Sequence, residues 1–247
     1  ITCRDWSSDV CSSDLIEADP RFGPVYTEPV AEAAIDLDRT FGHGVVMDNP
    51  MGNLVSDAFR AVTGSDIAIQ PQGFINQSIW AGPLVGNDIF QAVPYGFDEA
   101  SGYGLKLVTL TTTGMSLAAG LEFGVYYLPY LEDFFLHGSN LSFAYHSGYP
   151  AGARVDYASI MVGGMPLDPY ATYSVTVPDG VVPFLAQIPG FVIEDLQPVD
   201  AFVYTAVVDF MAANSPVAYY REGRVFDLAA LDNRSEERRV GKECRSR

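Results

Sequence analysis

The stretch DNPMGNLVSDAFRAVTGSDIAIQ, Asp48 to Gln70, writes one helix and one strand in immediate succession. Asn49 carries the short amide that suits an N-cap, and Pro50 fits the first helical position, where a missing N–H costs nothing. Met51, Leu54, Val55, Ala58, Phe59 and Val62 recur at the spacing of one buried helical face. Gly64 supplies a C-terminal stop, and Asp66–Gln70 is an apolar run too brief for a helix, so it reads as a strand. The polar pair Gly52-Asn53 sits in the first turn. It raises the question of whether this helix mouth holds a ligand or is only well capped. Every helix needs its end groups satisfied and few bind ligands, so the cap reading comes first.

Outward from this unit, helices and strands alternate. The preceding VAEAAIDLDRTFG (Val30–Gly42) fits extended or helical backbone. The Gly- and Pro-rich PQGFINQSIWAGPLVGNDIFQAVPYGF (Pro71–Phe97) reads as a loop around a short helix near Asn87–Ala92, ended by Pro94. LKLVTLTTTG (Leu105–Gly114) alternates and is rich in β-branched residues, which predicts a strand. Thr113 can cap the next helix, which carries Met115, Leu117, Ala118, Leu121 and Val125. NLSFAYHS (Asn140–Ser147) and Arg154–Asp179 read as strands with tight turns. Val199–Asn214 reads as a second long amphipathic helix and EGRVFDL (Glu222–Leu228) as a closing strand. Mixed strands and helices with antiparallel-type connections predict an α/β (α+β) domain.

The two ends differ from the body. DWSSDVCSSDL (Asp5–Leu15) and RSEERRVGKEC (Arg234–Cys244) lack usable periodicity and contain two of the three cysteines, Cys11 and Cys244, with Cys3 just before the first. Both resemble in-frame translations of the adapter oligonucleotides used in short-read DNA sequencing. The expected division is therefore an artefact over residues 1–15, a domain over 16–233, and an artefact over 234–247. On that division no cysteine remains in the body, and neither a disulfide framework nor a compartment follows from redox chemistry. Both biological termini would then lie outside the sequence.

The body carries 7 Lys and Arg against 25 Asp and Glu, a net charge of −18 against −17 for the whole chain. Such a field repels nucleic-acid backbones and anionic membranes, so no nucleic-acid partner is expected. No apolar run is long enough to span a membrane. The histidines, His43, His137 and His146, stand apart from one another, and each reads as a core or solvent-facing residue rather than a metal ligand. Gly-rich turns at Gly102–Leu105 and Gly163–Met165 are too weak for phosphate loops. No Gly-x-Ser-x-Gly elbow anchors a serine triad.

Six segments in order carry a family resemblance: Met51–Phe59, Ser65–Leu84, Asn87–Phe97, Leu107–Val125, Pro166–Pro178 and Glu222–Val225. Together they resemble the C-terminal domain of the family of 5′-nucleotidases, UDP-sugar hydrolases and 2′,3′-cyclic-nucleotide phosphodiesterases. The resemblance implies a layered mixed-sheet sandwich that grips a nucleotide or related phosphate ester, with the base stacked between two aromatic rings. It also implies an N-terminal metallophosphoesterase partner domain holding a pair of divalent metal ions, with no cofactor in this chain, and an extracellular or periplasmic location. VPYGF (Val93–Phe97), standing where the family has an LPFGN-like segment, puts Tyr95 at the first stacking position. Phe184 or Phe191 can supply the second ring, and Phe184 is preferred.

The sequence also departs from the family. PQGFIN (Pro71–Asn76) stands where NGGGIR is expected, so Pro71 replaces an Asn, Phe74 a Gly and Asn76 an Arg. An Asn amide cannot reproduce the fixed donor fork of a guanidinium. Gly44–Asn49 lacks the arginine expected upstream, and Asp179–Phe191 offers no secure match for an aromatic followed by GGDG. Two readings remain open. The chain is the recognition domain of a larger phosphoesterase, inert alone and with a diverged pocket, or it is a binding or structural module that kept the fold and lost nucleotide recognition.

Overall fold

The computed structural model describes residues 23–41, 47–96, 104–128 and 130–230. The adapter-like ends and His43 lie outside the described residues. In chain order the elements are α1 (Gly23–Thr27), β1 (Pro29–Ala33), α2 (Pro50–Thr63), β2 (Ile67–Pro71), a 3-10 turn (Gln72–Phe74), β3 (Gly82–Val85) and α3 (Gly86–Ala92). Then follow β4 (Lys106–Thr113), α4 (Gly114–Tyr126), β5 (Leu136–Ser139), β6 (Leu141–Tyr145), β7 (Val155–Val162), β8 (Met165–Pro166) and β9 (Thr172–Pro178). A second 3-10 turn (Asp179–Val181), α5 (Val182–Leu185), β10 (Glu194–Phe202), α6 (Val203–Ala213) and β11 (Val225–Asp227) complete the described chain.

A five-stranded mixed sheet, β10-β4-β9-β2-β5, divides the domain into layers. Only β2 and β9 are parallel within it; the other neighbours run antiparallel. Period-two alternation assigns its two faces. On β2, Ala68 joins a core with α2, α3 and α6, while Ile67 and Ile69 join a second core with α4 and the sheet β11-β6-β7-β8. The segment from Val30 is extended, with β1 pairing antiparallel to β3. The expected mixed α/β sandwich is therefore present.

The helix at Asp48–Gly64 forms as its sequence dictates. Asn49 accepts the Gly52 N–H, and Gly64 closes the helix at φ 66°. Met51, Leu54, Val55, Ala58 and Phe59 are fully buried, but Val62 is 43% exposed and falls off the face assigned to it. Likewise Met115 on α4 is 59% exposed while Leu117, Ala118, Leu121 and Val125 are buried. The helix read over Val199–Asn214 begins only at Val203. Residues Glu194–Phe202 instead pair with β4, whose backbone donors and acceptors would otherwise be left open on that edge.

The mouth of α2 is filled by the protein itself. A Cβ on Gly52 would overlap the imidazole of His137 from β5, so only glycine allows that ring under the first turn. Asn53 donates to Asp48 Oδ2 at 2.7 Å and to the Tyr220 carbonyl at 3.0 Å. Asn49 Nδ2 donates to the Arg39 carbonyl at 2.8 Å and to Gln72 Oε1 at 3.0 Å. One turn further on, Asp57 receives both terminal nitrogens of Arg224 at 2.8 Å, which clasps the strand β11 to the helix. Burial alone would raise the Asp57 carboxyl, but hydrogen bonds from Arg224 and Ser139 hold it below the usual carboxylate range. The Gly-Asn pair is structural.

The Gly52→Ala substitution is expected to destabilise the domain by about 1–3 kcal/mol through overpacking against His137. Val62→Ala, on the exposed side of the same helix, should stay within about 0.5 kcal/mol. Equilibrium urea unfolding at unchanged m-value separates the two.

Candidate functional site

A cavity of about 370 Å³ opens where the first 3-10 turn, the loop after α3, the helix α4 and the short helix α5 meet. The turn is fixed by two backbone bonds: Gln72 N–H donates to the Phe135 carbonyl at 2.8 Å and Gly73 N–H to the Asp133 carbonyl at 2.9 Å. A Cβ on Gly73 would stand 2.8 Å from the Cβ of Asp133, so the close approach requires glycine. Phe74 then reaches the cavity wall and stacks on Tyr95, with centroids 5.6 Å apart and planes at 28°.

Tyr95 follows the end of α3 at Val93-Pro94. Its carbonyl accepts the Leu105 N–H at 2.8 Å, and Gly96 at φ +85° supplies the left-handed turn beside it. A Cβ on Gly104 would overlap that same carbonyl oxygen. The ring is 39% exposed and lines the cavity. Phe184 on α5, 41% exposed, lines the same cavity, with Phe134 edge-on to it at 5.9 Å. The two residues chosen from the sequence are thus brought to one cavity. Phe191 is not on its wall; it packs against Gly120 beside a separate small apolar void.

The remaining wall is not legible as a site in the sequence. Gly120 and Phe123 come from α4, and Asp133, Phe134 and Leu136 from the approach to β5. A signal is nonetheless present: Phe123–Phe135 holds six aromatic residues in thirteen, against 13% in the whole chain. Asp133 is the one carboxylate in the wall, and no Lys or Arg lines it among the described residues. Aromatic walls with a few polar groups are the usual make-up of small-molecule sites of this size.

The described histidines are His137 and His146. Among the described residues no group of three or more His, Cys, Asp or Glu is placed to hold a metal ion. The His137 ring is fully buried between Phe41 and Phe135, and its Nε2 lies 2.7 Å from Gln72 Oε1. Gln72 turns its Nε2 to the Arg39 carbonyl, so its oxygen faces His137, and the imidazole proton belongs on Nε2. Burial and then the charge of Arg224 lower the His137 pKa to about 3, so the ring stays neutral. His146 lies against Tyr149, with ring centroids 4.1 Å apart. Neither histidine fits the ligand set of a two-metal phosphoesterase.

The sequence matches the family model of the 5′-nucleotidase C-terminal domain over residues 29–183. Endonuclease YhcR of Bacillus subtilis (strain 168) is 27% identical over 222 residues, which is 85% of this chain and 16% of that protein. Among solved structures, the 5′-nucleotidase precursor of Thermus thermophilus superposes with a TM-score of 0.71 at 26% identity, over 83% of this chain and 40% of that one. The NAD nucleotidase of Haemophilus influenzae superposes at 0.63 with 17% identity, over 84% of this chain and 39% of that one, a likeness of fold alone. The chain spans less than half the length of each of these relatives.

Because His137 is neutral in the fold and titrates at an ordinary value when unfolded, the unfolded state binds the extra proton first as pH falls. Its contribution is fully present above about pH 6.5 and is lost on descending toward pH 3. Between about pH 7 and pH 5, above the carboxylate range, the protein should lose roughly 2 kcal/mol on this account. A His137→Asn variant should show a flatter slope over that window in urea titrations, despite its lower starting stability.

Proposed function

The chain belongs to the 5′-nucleotidase C-terminal domain family, and on that premise we propose that it is the substrate-recognition domain of a metal-dependent phosphoesterase. Tyr95 and Phe184 grip the ring of a nucleotide or related phosphate ester. The observation that supports this reading is their meeting on one aromatic-walled cavity of nucleoside size. The hydrolysis belongs to a separate N-terminal metallophosphoesterase domain. A divalent metal pair there supplies Lewis acidity toward the phosphate oxygens. This chain is inert alone: its own residues bind and orient the ring and contribute no chemical step. An extracellular or periplasmic location is in keeping with the Thermus relative being described as a precursor.

The Bacillus relative is named an endonuclease, yet a polynucleotide is not the ligand proposed for this chain. A body charge of −18 repels a phosphate backbone. A second reading, a module that kept the fold and lost nucleotide recognition, is favoured by Phe74. Its ring takes up a face of Tyr95 at a position where the family resemblance expects glycine.

Calorimetric titration of the chain with adenosine decides between them. Saturable binding is expected, and Tyr95→Ala should weaken it by about 1–3 kcal/mol, the value of one base–aromatic stack. Absence of binding, or binding indifferent to Tyr95→Ala, favours the second reading.

A further inference from the structure

Among the described residues, the wall of this cavity holds no cationic side chain for a phosphate. None of the six Lys and Arg among the described residues lines it. Five of the six are engaged elsewhere, Lys106 with its Nζ 5.0 Å from the centroid of the Phe202 ring. Arg60 donates to the Ser65 carbonyl, and Arg154 to the carbonyls of Val125, Tyr126 and Leu128 at the end of α4. Arg221 donates to the Thr40 carbonyl, and Arg224 binds Asp57 and Glu222.

The first two backbone donors of the 3-10 turn do not replace them. The Gln72 and Gly73 N–H groups, which a 3-10 turn could otherwise point at an anion, are both spent on the carbonyls of Phe135 and Asp133. The one charged side chain in the wall is Asp133, an exposed carboxylate. An ionised carboxylate only accepts hydrogen bonds, so it suits an amino or hydroxyl donor on the ligand and repels a phosphate.

We propose that this cavity is a receptor for the phosphate-free ring, selecting an uncharged nucleoside over the corresponding nucleotide, with Asp133 as the residue that discriminates. The inference rests on the reading of the cavity as the ring-binding site and gives it a specificity. Whatever holds the phosphate lies outside this cavity. In a reaction that removes the phosphate, this domain keeps the dephosphorylated product more tightly than the substrate, and the free nucleoside competes for the site.

The test is calorimetry of the full chain with adenosine, AMP and ADP, for the unaltered protein and Asp133→Asn, with near-ultraviolet circular dichroism as a check on folding. Adenosine should bind most tightly, with each phosphate weakening affinity on the order of threefold to tenfold at low ionic strength. Raising the salt to about 0.5 M should narrow the gap. Asp133→Asn should narrow it at low salt without abolishing adenosine binding. AMP binding as tightly as adenosine or more so, or a gap unchanged in Asp133→Asn, overturns the selectivity while leaving the ring-binding reading intact. If neither adenosine nor AMP binds, the ring-binding reading fails and the selectivity with it.

Discussion

The side-chain amide of Gln72 is the constraint on which the site depends. Its oxygen receives Asn49 from the cap of α2 and His137 from β5, and its nitrogen reaches the Arg39 carbonyl of the leading segment. One buried amide therefore joins a helix mouth, an edge strand and a preceding loop. Gln72 has both its amide atoms paired, although His137 Nδ1 beside it is buried without a partner, which costs free energy in a low dielectric. The same residue begins the 3-10 turn whose backbone pins Asp133 and Phe135 and whose last member, Phe74, backs Tyr95. The geometry of the cavity is inherited from a packing problem solved in the core.

This explains why half of the site is legible in the sequence and half is not. Tyr95 and Phe184 can be named because the family resemblance assigns ring-stacking positions to the segments that hold them. Phe74, Phe123, Asp133 and Phe134 reach the cavity only through the approach of separate elements, which no local periodicity records. The fold divides along the same line. Asn49, Thr113 and Gly64 announce helix ends through hydrogen bonds made within a few residues. The start of α6 is misplaced by sequence because Val199–Phe202 satisfy a helical pattern and a strand pattern alike, and pairing of β10 with β4 settles the matter from a distance. His137 reads as an isolated residue; its role is visible only against Gly52, 85 positions earlier in the chain.

Charge and packing point to one division of labour. A strongly acidic body whose arginines largely serve carbonyls and carboxylates has few cations left for a phosphate. It offers instead a wall of rings, and stacking on rings is tolerant of ligand identity because every base has a π-face. Specificity must then come from the few polar groups at the edge. Asp133 is placed to exert it.

That Tyr95 and Phe184 together hold a flat ring is the central claim, and a crystal structure of the chain soaked with adenosine tests it most directly. The predicted result is electron density for the purine in contact with both rings and a donor group within hydrogen-bond distance of Asp133. A purine bound elsewhere, or a cavity left closed by Phe74 against Tyr95 at saturating ligand, would contradict it.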